Sequence, residues 1–553
     1  MFKNIKVIPI ILIIFIFILF ALVIKNESNT RVYSMYIAGN SGTITLYDKD
    51  FKEAKSIIRG TKVKTNKLVV KNKDNKYFKI VYNKKNYYVK EQNLVERKRD
   101  ILFEREVYVR TNSTIYKNNS GIEILSYVKK SEKLEILGFD KILSDGSVNK
   151  YKIKYNDIKG YVYSKYTVLT KEEADSLYSE NGIQDYMKKM GDSLGAGNAT
   201  ELDYYPYEKA DFKDNVMPKD VRAFYINASS VGDIDSYIEL AKDSGINAFV
   251  IDIKDNTAPA YPALSMQKYS KTNYDHAINS YDKYKESIKK AHDAGFYLIG
   301  RITTFKDSYY IDDHKDAAIK NSNGDAFNHN GSYWPSAYNR GVWEFNVALA
   351  IESVKELGFN EIQFDYVRFP DRTTKLERDG VINLSNTYNE TKSQALQAFV
   401  MYACDELHAV GAYCSIDVFG ESASNYVTAY GQFWPAISNV ADVISGMPYP
   451  DHFNAHEYGI DEVVWTVPYK LLNEWSKYVV KKQSVIPTPA KVRTWIQVYD
   501  THKNPSVVYD TSKVKDEIKA LYDNKLNDGF MTWSGSSSIS KYKSVKDAFK
   551  GEY

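Results

Sequence analysis

The sequence predicts an α/β protein built around a (β/α)8 TIM barrel, with an N-terminal transmembrane helix and two small all-β domains ahead of it. Three observations predict this. An apolar run opens the chain, and short alternating strands follow. From Arg222 onward, strand-like and amphipathic helical stretches then alternate about eight times.

Met1 to Lys6 carries Lys3 and Lys6, and Val7 to Ile24 is apolar throughout apart from Pro9. About 18 such residues is the lower limit for a spanning helix, and basic residues ahead of it favour a cytoplasmic N-terminus. Residues 1–28 therefore read as a cytoplasmic stub and signal-anchor helix. The expected location is the cell membrane, with a single pass and extracellular C-terminal domains; secretion after signal cleavage is the alternative. Lys+Arg 74 against Asp+Glu 70 leaves a net charge of +4, which argues against a nucleic-acid partner. The two cysteines, Cys404 and Cys414, provide neither a disulfide framework nor zinc spacing. No P-loop, dinucleotide fingerprint or Gly-x-Ser-x-Gly elbow occurs, and no metal or cofactor is expected.

Residues 32–98 and 105–169 each read as several short strands separated by Asn, Asp, Gly and Lys turns. The second contains VYVRTNSTIY (107–116), ILSYVKKSEKLEILG (124–138) and KYKIKYNDIKGYVYSKY (150–166). This pattern resembles the bacterial SH3 domain, and 32–98 is a weaker copy. The resemblance implies modules that hold cell-wall peptide or polysaccharide; spacing the next domain away from the membrane is the alternative role. Residues 170–218 read as a helix followed by a linker, with GDSLGAGNAT (191–200) as its flexible part.

Residues 219–553 carry the alternation. The expected strands are 222–228, 248–254, 297–303, 361–367, 413–419, 442–448, 493–499 and 530–536. The helical stretches between them often end in Gly, as at Gly245, Gly295 and Gly358. In a barrel of this type the active site lies at the C-terminal ends of the strands. Strand 2 ends with Asp252, Lys254 and Asp255, and strand 3 with Arg301. Strand 4 ends with Asp365 and Arg368, and strand 5 with Asp417 and Glu421. Alternation points Asp365 inward, with Phe364 and Tyr366 toward the helices, and puts Asp252 and Lys254 together on the inner face.

Asp365 and Asp417 fall on neighbouring strands. At a strand spacing of about 4.8 Å their carboxyl groups are expected roughly 5–7 Å apart, the separation that glycosidic bond cleavage uses. Asp365 is then the nucleophile or base and Asp417 the acid, with Glu421 in reserve. Asp252, Lys254, Arg301, Arg368, Glu421 and Trp533 are the expected substrate-binding residues, Trp533 as a sugar platform. Asp451, His452 and His456 form a short acid–imidazole cluster on a loop, a weak signal for a metal site.

The run NAFVIDIKD, GRITTFKD, GFNEIQFDYVRFP, SIDVFG and MPYPDHF resembles the putative glycosyl hydrolase domain family of bacterial exported proteins. The resemblance covers about 220–540 and implies a (β/α)8 glycosidase-like fold. It points at Asp252, Lys254, Arg301, Asp365, Arg368 and Asp417. The chain departs from the expected pattern after Trp533, where SGSSS replaces a polar, Asn-bearing end. The expected function is glycoside hydrolysis of cell-wall or extracellular polysaccharide, including peptidoglycan. The alternatives are a non-catalytic polysaccharide- or wall-binding protein and an envelope or spore-layer structural protein.

Overall fold

The computed structural model describes residues 31–190, 194–551 and 553. They form two compact units, one of residues up to Gly121 with Val128–Ser176, the other of Ile122–Tyr127 with Leu177–Tyr553.

Residues 33–95 and 106–168 each contribute a seven-stranded sheet. Numbered within each sheet, both show the same order: third, second, sixth, fifth, fourth, first, seventh. Each sheet has its own apolar core. In the first it includes Ile37, Leu46, Ile80 and Val89, and in the second Val109, Ile115, Leu134 and Val162. The sheets thus repeat one topology on two unrelated sets of core side chains.

The large unit is a ring of parallel strands. In chain order they are β1 (Val221–Ile226), β2 (Ala248–Asp255), β3 (Tyr297–Thr303), β4 (Glu361–Asp365), β5 (Tyr413–Phe419) and β6 (Val443–Met447). The seventh place is shared by β7 (Lys491–Val492) and β8 (Thr494–Gln497), and β9 (Gly529–Trp533) completes the ring against β1. Nearly every residue of these strands is buried, as expected where helices cover the outer face and side chains fill the inner one.

The longer helices of the large unit are α1 (Ile234–Lys242), α2 (Tyr281–Asp293), α3 (Arg340–Leu357), α4 (Lys392–His408), α5 (Pro468–Gln483) and α6 (Thr511–Asp523). Their ends follow local chemistry. Asn339 caps α3 through the Val342 amide, Thr391 and Gln394 form a reciprocal capping box on α4, and Asp510 caps α6. Gly358 stops α3 at φ 80°, where a Cβ would be strained.

Two expectations are corrected. The eight-fold (β/α) barrel is only nearly closed. β7 pairs with β6 and β8 pairs with β9, so the ring is joined at Arg493 by the chain itself and not by a ladder. The fifth unit also has only the short helix Trp434–Ser438. The expected membrane-spanning helix falls at 7–24, outside the described residues. Among the described residues no helix is long and apolar enough to cross a membrane, so single-pass anchoring has no support in the structure.

The stretch expected to be a flexible linker is not loose where it is described. Ala196 and Ala199 are buried with Ile183, Met187, Val427 and Phe433, and Ser393 donates its amide to the Ala196 carbonyl.

Candidate active site

The centre of the site is Arg301, at the inner C-terminal end of β3. It lies opposite Asp252 in the β2–β3 ladder, and Gln363 of β4 flanks it on the other side. Its Nη1 donates to Asp252 Oδ1 at 2.7 Å, and its Nη2 and Nε donate to Asp365 Oδ2 at 2.6 and 3.1 Å. The flat guanidinium thus ties the ends of three consecutive strands, a task its fork of donors suits. The Trp533 and Tyr225 rings lie 5.5 and 5.7 Å from it. Tyr225 also donates its hydroxyl to Asp252 Oδ2 at 2.6 Å. Burial, opposed by Arg301, raises the Asp252 carboxyl to about 6.

Asp365 Oδ1 accepts the Tyr366 amide at 2.6 Å, so both of its oxygens are engaged as acceptors. β4 stops there, two residues earlier than expected, because Tyr366 adopts φ 53°. For an aromatic residue that is an uncommon and costly conformation. It swings Tyr366 away from the helix layer expected for it. The ring lies instead 5.7 Å from Trp334, with Arg368 at 4.9 Å and Lys306 Nζ at 5.0 Å. Phe364 does meet the helices, against Phe399 of α4.

Arg368 is buried among aromatic rings, 4.3 Å from Phe419, 5.0 Å from Trp334 and 5.8 Å from Tyr430, and pairs with Asp371 at 3.2 Å. It wedges the β4 end against the loop after β5. That loop carries Glu421, which is exposed and accepts the Tyr426 and Tyr430 hydroxyls at 3.0 and 2.9 Å. Glu421 lines a cleft of about 1050 Å³ with Phe419, Tyr426, Tyr430, Phe453 and Tyr458. Asp451 and His452 line the same cleft, and Tyr499 donates to Asp451 at 2.7 Å.

The ladder pairs Phe364 with Ile416, which sets Asp365 and Asp417 next along β4 and β5. Asp417 is fully buried (0% exposed), against 5% for Asp365. Trp495 Nε1 donates to its Oδ1 at 2.9 Å, and its Oδ2 has no partner among the described residues. Burial, followed by the negative charge on Asp365, pushes the Asp417 carboxyl well above the usual range.

Lys254 is not on the inner face. The β2–β3 register slips between Asp252 and Lys254, a bulge that turns Ile253 and Lys254 outward together. Lys254 Nζ lies 2.6 Å from Asp307 and from the Thr303 carbonyl, fully buried, 5.3 Å from the Phe345 ring of α3. Asp255 takes the inward place, accepting the Thr303 hydroxyl at 2.7 Å and the Asn256 amide at 2.8 Å. Burial works to raise its carboxyl, but Arg301, these hydrogen bonds and Lys306 outweigh it and hold Asp255 below the usual range. Sequence reasoning listed Asp255 at the strand end without a role and missed Lys306, Trp495 and Tyr225. Only the position of Tyr225, inside a strand paired with β2, could have flagged any of the three.

Residues 223–539 match the family described as "Putative glycosyl hydrolase domain". The chain belongs to that family. Within the glycosyl hydrolase domain lie all the residues just described, from Tyr225 to Trp533. Among solved structures, a hypothetical protein of Ruminiclostridium thermocellum is 29% identical over 35% of this chain and 97% of its own, with a TM-score of 0.30. The glycoside hydrolase domain of PgaB (BpsB) from Bordetella bronchiseptica is 10% identical over 59% of this chain and 99% of its own, TM-score 0.43. The spore cortex-lytic enzyme SleL of Bacillus megaterium is 10% identical over 60% and 74%, TM-score 0.37. No curated protein matches the chain.

Proposed function

We propose that the domain hydrolyses glycosidic bonds of a polysaccharide, with peptidoglycan as the first polymer to test. Asp365 is the ionised carboxylate and Glu421 the proton donor. The observation that carries this reading is the Arg301 fork on Asp365. Two guanidinium donors and a backbone amide hold this carboxylate in one orientation with both oxygens as acceptors, as a nucleophile or base needs. The donor has to touch the departing oxygen. Glu421 opens on the cleft, whereas Asp417 has no exposed surface. A tyrosine hydroxyl can accept as well as donate, so Tyr426 and Tyr430 can hold Glu421 in either protonation state. Asp417, first expected to be the acid, becomes in this reading a neutral neighbour that spares Asp365 a second negative charge.

The aromatic side chains of the cleft suit the apolar faces of sugar rings. We read the two N-terminal sheets as SH3-like modules that hold the wall polymer. Their identical strand order, on different sets of buried side chains, supports a duplicated module.

The test is to incubate the full chain with purified peptidoglycan and secreted polysaccharides and to assay new reducing ends, with Asp365→Asn and Glu421→Gln alongside. Release by the wild type, lost in both variants, is the expected result. Release that survives in both would overturn the assignment.

A second reading is a glycan-binding domain without turnover. It is favoured by how little of Asp252 and Asp365 reaches solvent, 2% and 5%. Saturable binding with no product would select it.

A further inference from the structure

The β2 bulge leaves two groups at the barrel mouth that the proposed chemistry does not use. Asp255 spends one oxygen on Thr303 and Asn256, while its Oδ2 accepts no hydrogen bond from any described residue. Lys306, in the loop after β3, is partly buried with its Nζ over the Tyr366 ring. Among the described residues no acceptor lies within hydrogen-bond reach of that ammonium, though it senses the charges of Asp255, Asp365, Arg301 and Arg368. It therefore lies close to both Asp255 and Asp365. Neither atom is sealed from solvent, so both are open to meet a ligand's polar groups.

Both groups are held in place. Asn256 accepts from the Ser308 amide and hydroxyl at 3.1 Å and donates to Ser332 at 3.1 Å, which ties together the loops that follow β2 and β3. The Thr304 amide donates to the Asp365 carbonyl at 2.9 Å and the Phe305 amide to the Tyr366 carbonyl at 3.3 Å, fixing the chain just ahead of Lys306. A fixed acceptor and a donor beside it match what a sugar ring presents, a hydroxyl next to a second oxygen.

We propose that Asp255 and Lys306 clamp the sugar unit bound beside Asp365, Asp255 Oδ2 accepting from a hydroxyl and Lys306 Nζ donating to the adjacent oxygen. This rests on the glycan reading of the site and adds the residues that select the sugar. A site built to bond a hydroxyl rejects an analogue lacking it, because its own polar groups are then left unpaired. Neither residue takes part in proton transfer, so both belong to recognition.

The experiment uses the full chain with peptidoglycan strands, cellohexaose and chitohexaose. Equilibrium binding is read by tryptophan fluorescence and cleavage by new reducing ends. The variants are Asp255→Asn, Lys306→Met, Lys306→Arg and the double Asp255→Asn/Lys306→Met, with thermal midpoints as the folding control. For a glycan the wild type binds, affinity should fall about tenfold in each of Asp255→Asn and Lys306→Met. The double variant should be little weaker than the worse single, and Lys306→Arg should restore binding. Unchanged affinity in a folded Lys306→Met protein overturns the clamp, even where the wild type cleaves and the glycosidase reading stands. Binding that weakens as expected with nothing cleaved supports the clamp and removes the glycosidase reading. Failure of the wild type to bind any of the three glycans overturns the clamp outright.

Discussion

Arg301 holds Asp365 by two donors at once, Nη2 at 2.6 Å and Nε at 3.1 Å, with both side chains almost wholly buried. A lysine cannot reproduce that fork. Arg301→Lys should therefore keep the charge and lose at least 100-fold in cleavage. Arg301→Met leaves Asp252 and Asp365 buried without a counter-charge, at a cost of about 3–5 kcal/mol. Urea denaturation of the two variants separates the effects: a large midpoint drop is expected for methionine and a smaller one for lysine.

The choice between Glu421 and Asp417 as proton donor is open to a paired substitution. Asparagine copies a neutral aspartic acid, so Asp417→Asn should keep activity within about tenfold, whereas Glu421→Gln should abolish cleavage of substrates with poor leaving groups. Rates on an activated aryl glycoside, which needs less help in departure, should recover in Glu421→Gln. The reverse pattern would return the acid role to Asp417.

Asp252 gives the fold a distinct pH response. Its carboxyl is raised from 3.8 to about 6 in the native state. The native protein therefore retains a proton that the unfolded chain releases between these values. Its contribution is full below about pH 3.8 and is lost as pH rises through 6. The gap corresponds to about 3 kcal/mol. Asp252→Asn should flatten this part of the stability profile, measured as denaturant midpoints from pH 4 to 7 against the wild type.

Lys254, expected in the substrate site, belongs to the wall behind it. Its ammonium and Asp307 are both fully buried, 2.6 Å apart. Lys254→Met should cost about 3–5 kcal/mol through the stranded Asp307 charge, and adding Asp307→Asn should recover much of that loss. The folded fraction of either variant should bind glycan as the wild type does, in contrast to Lys306→Met.

The ring of strands was legible because each strand is a short apolar run and helices end at glycines such as Gly295 and Gly358. Asp252, Arg301 and Asp365 were legible because a charged side chain inside such a run must be paired or in use. Two local events were hidden. Nothing in IDIKD marks the bulge, since one extra residue leaves the apolar run intact while reversing every later side chain. Likewise a tyrosine at φ 53° leaves no trace in composition, so Tyr366 was assigned to the wrong face. The cleft was hidden for a different reason. Its lining comes from Asp371, Arg372, 419–430, 447–458, Tyr478 and Lys503, which are brought together only by folding. The break in the seventh strand was equally silent, because the expected strand started at Arg493 and left Lys491 and Val492 outside it.

That break has a mechanical meaning. A ring bonded all the way round resists widening evenly, whereas one with a seam opens like a spring clip, and only at the seam. The seam at Arg493 lies between the places of β6 and β9, and the cleft draws its wall from Phe419, Met447 and Lys503 around that arc. Asp252, Arg301 and Asp365 stand on the unbroken arc of β2, β3 and β4. The cleft can therefore widen at the seam while the charged centre stays in register.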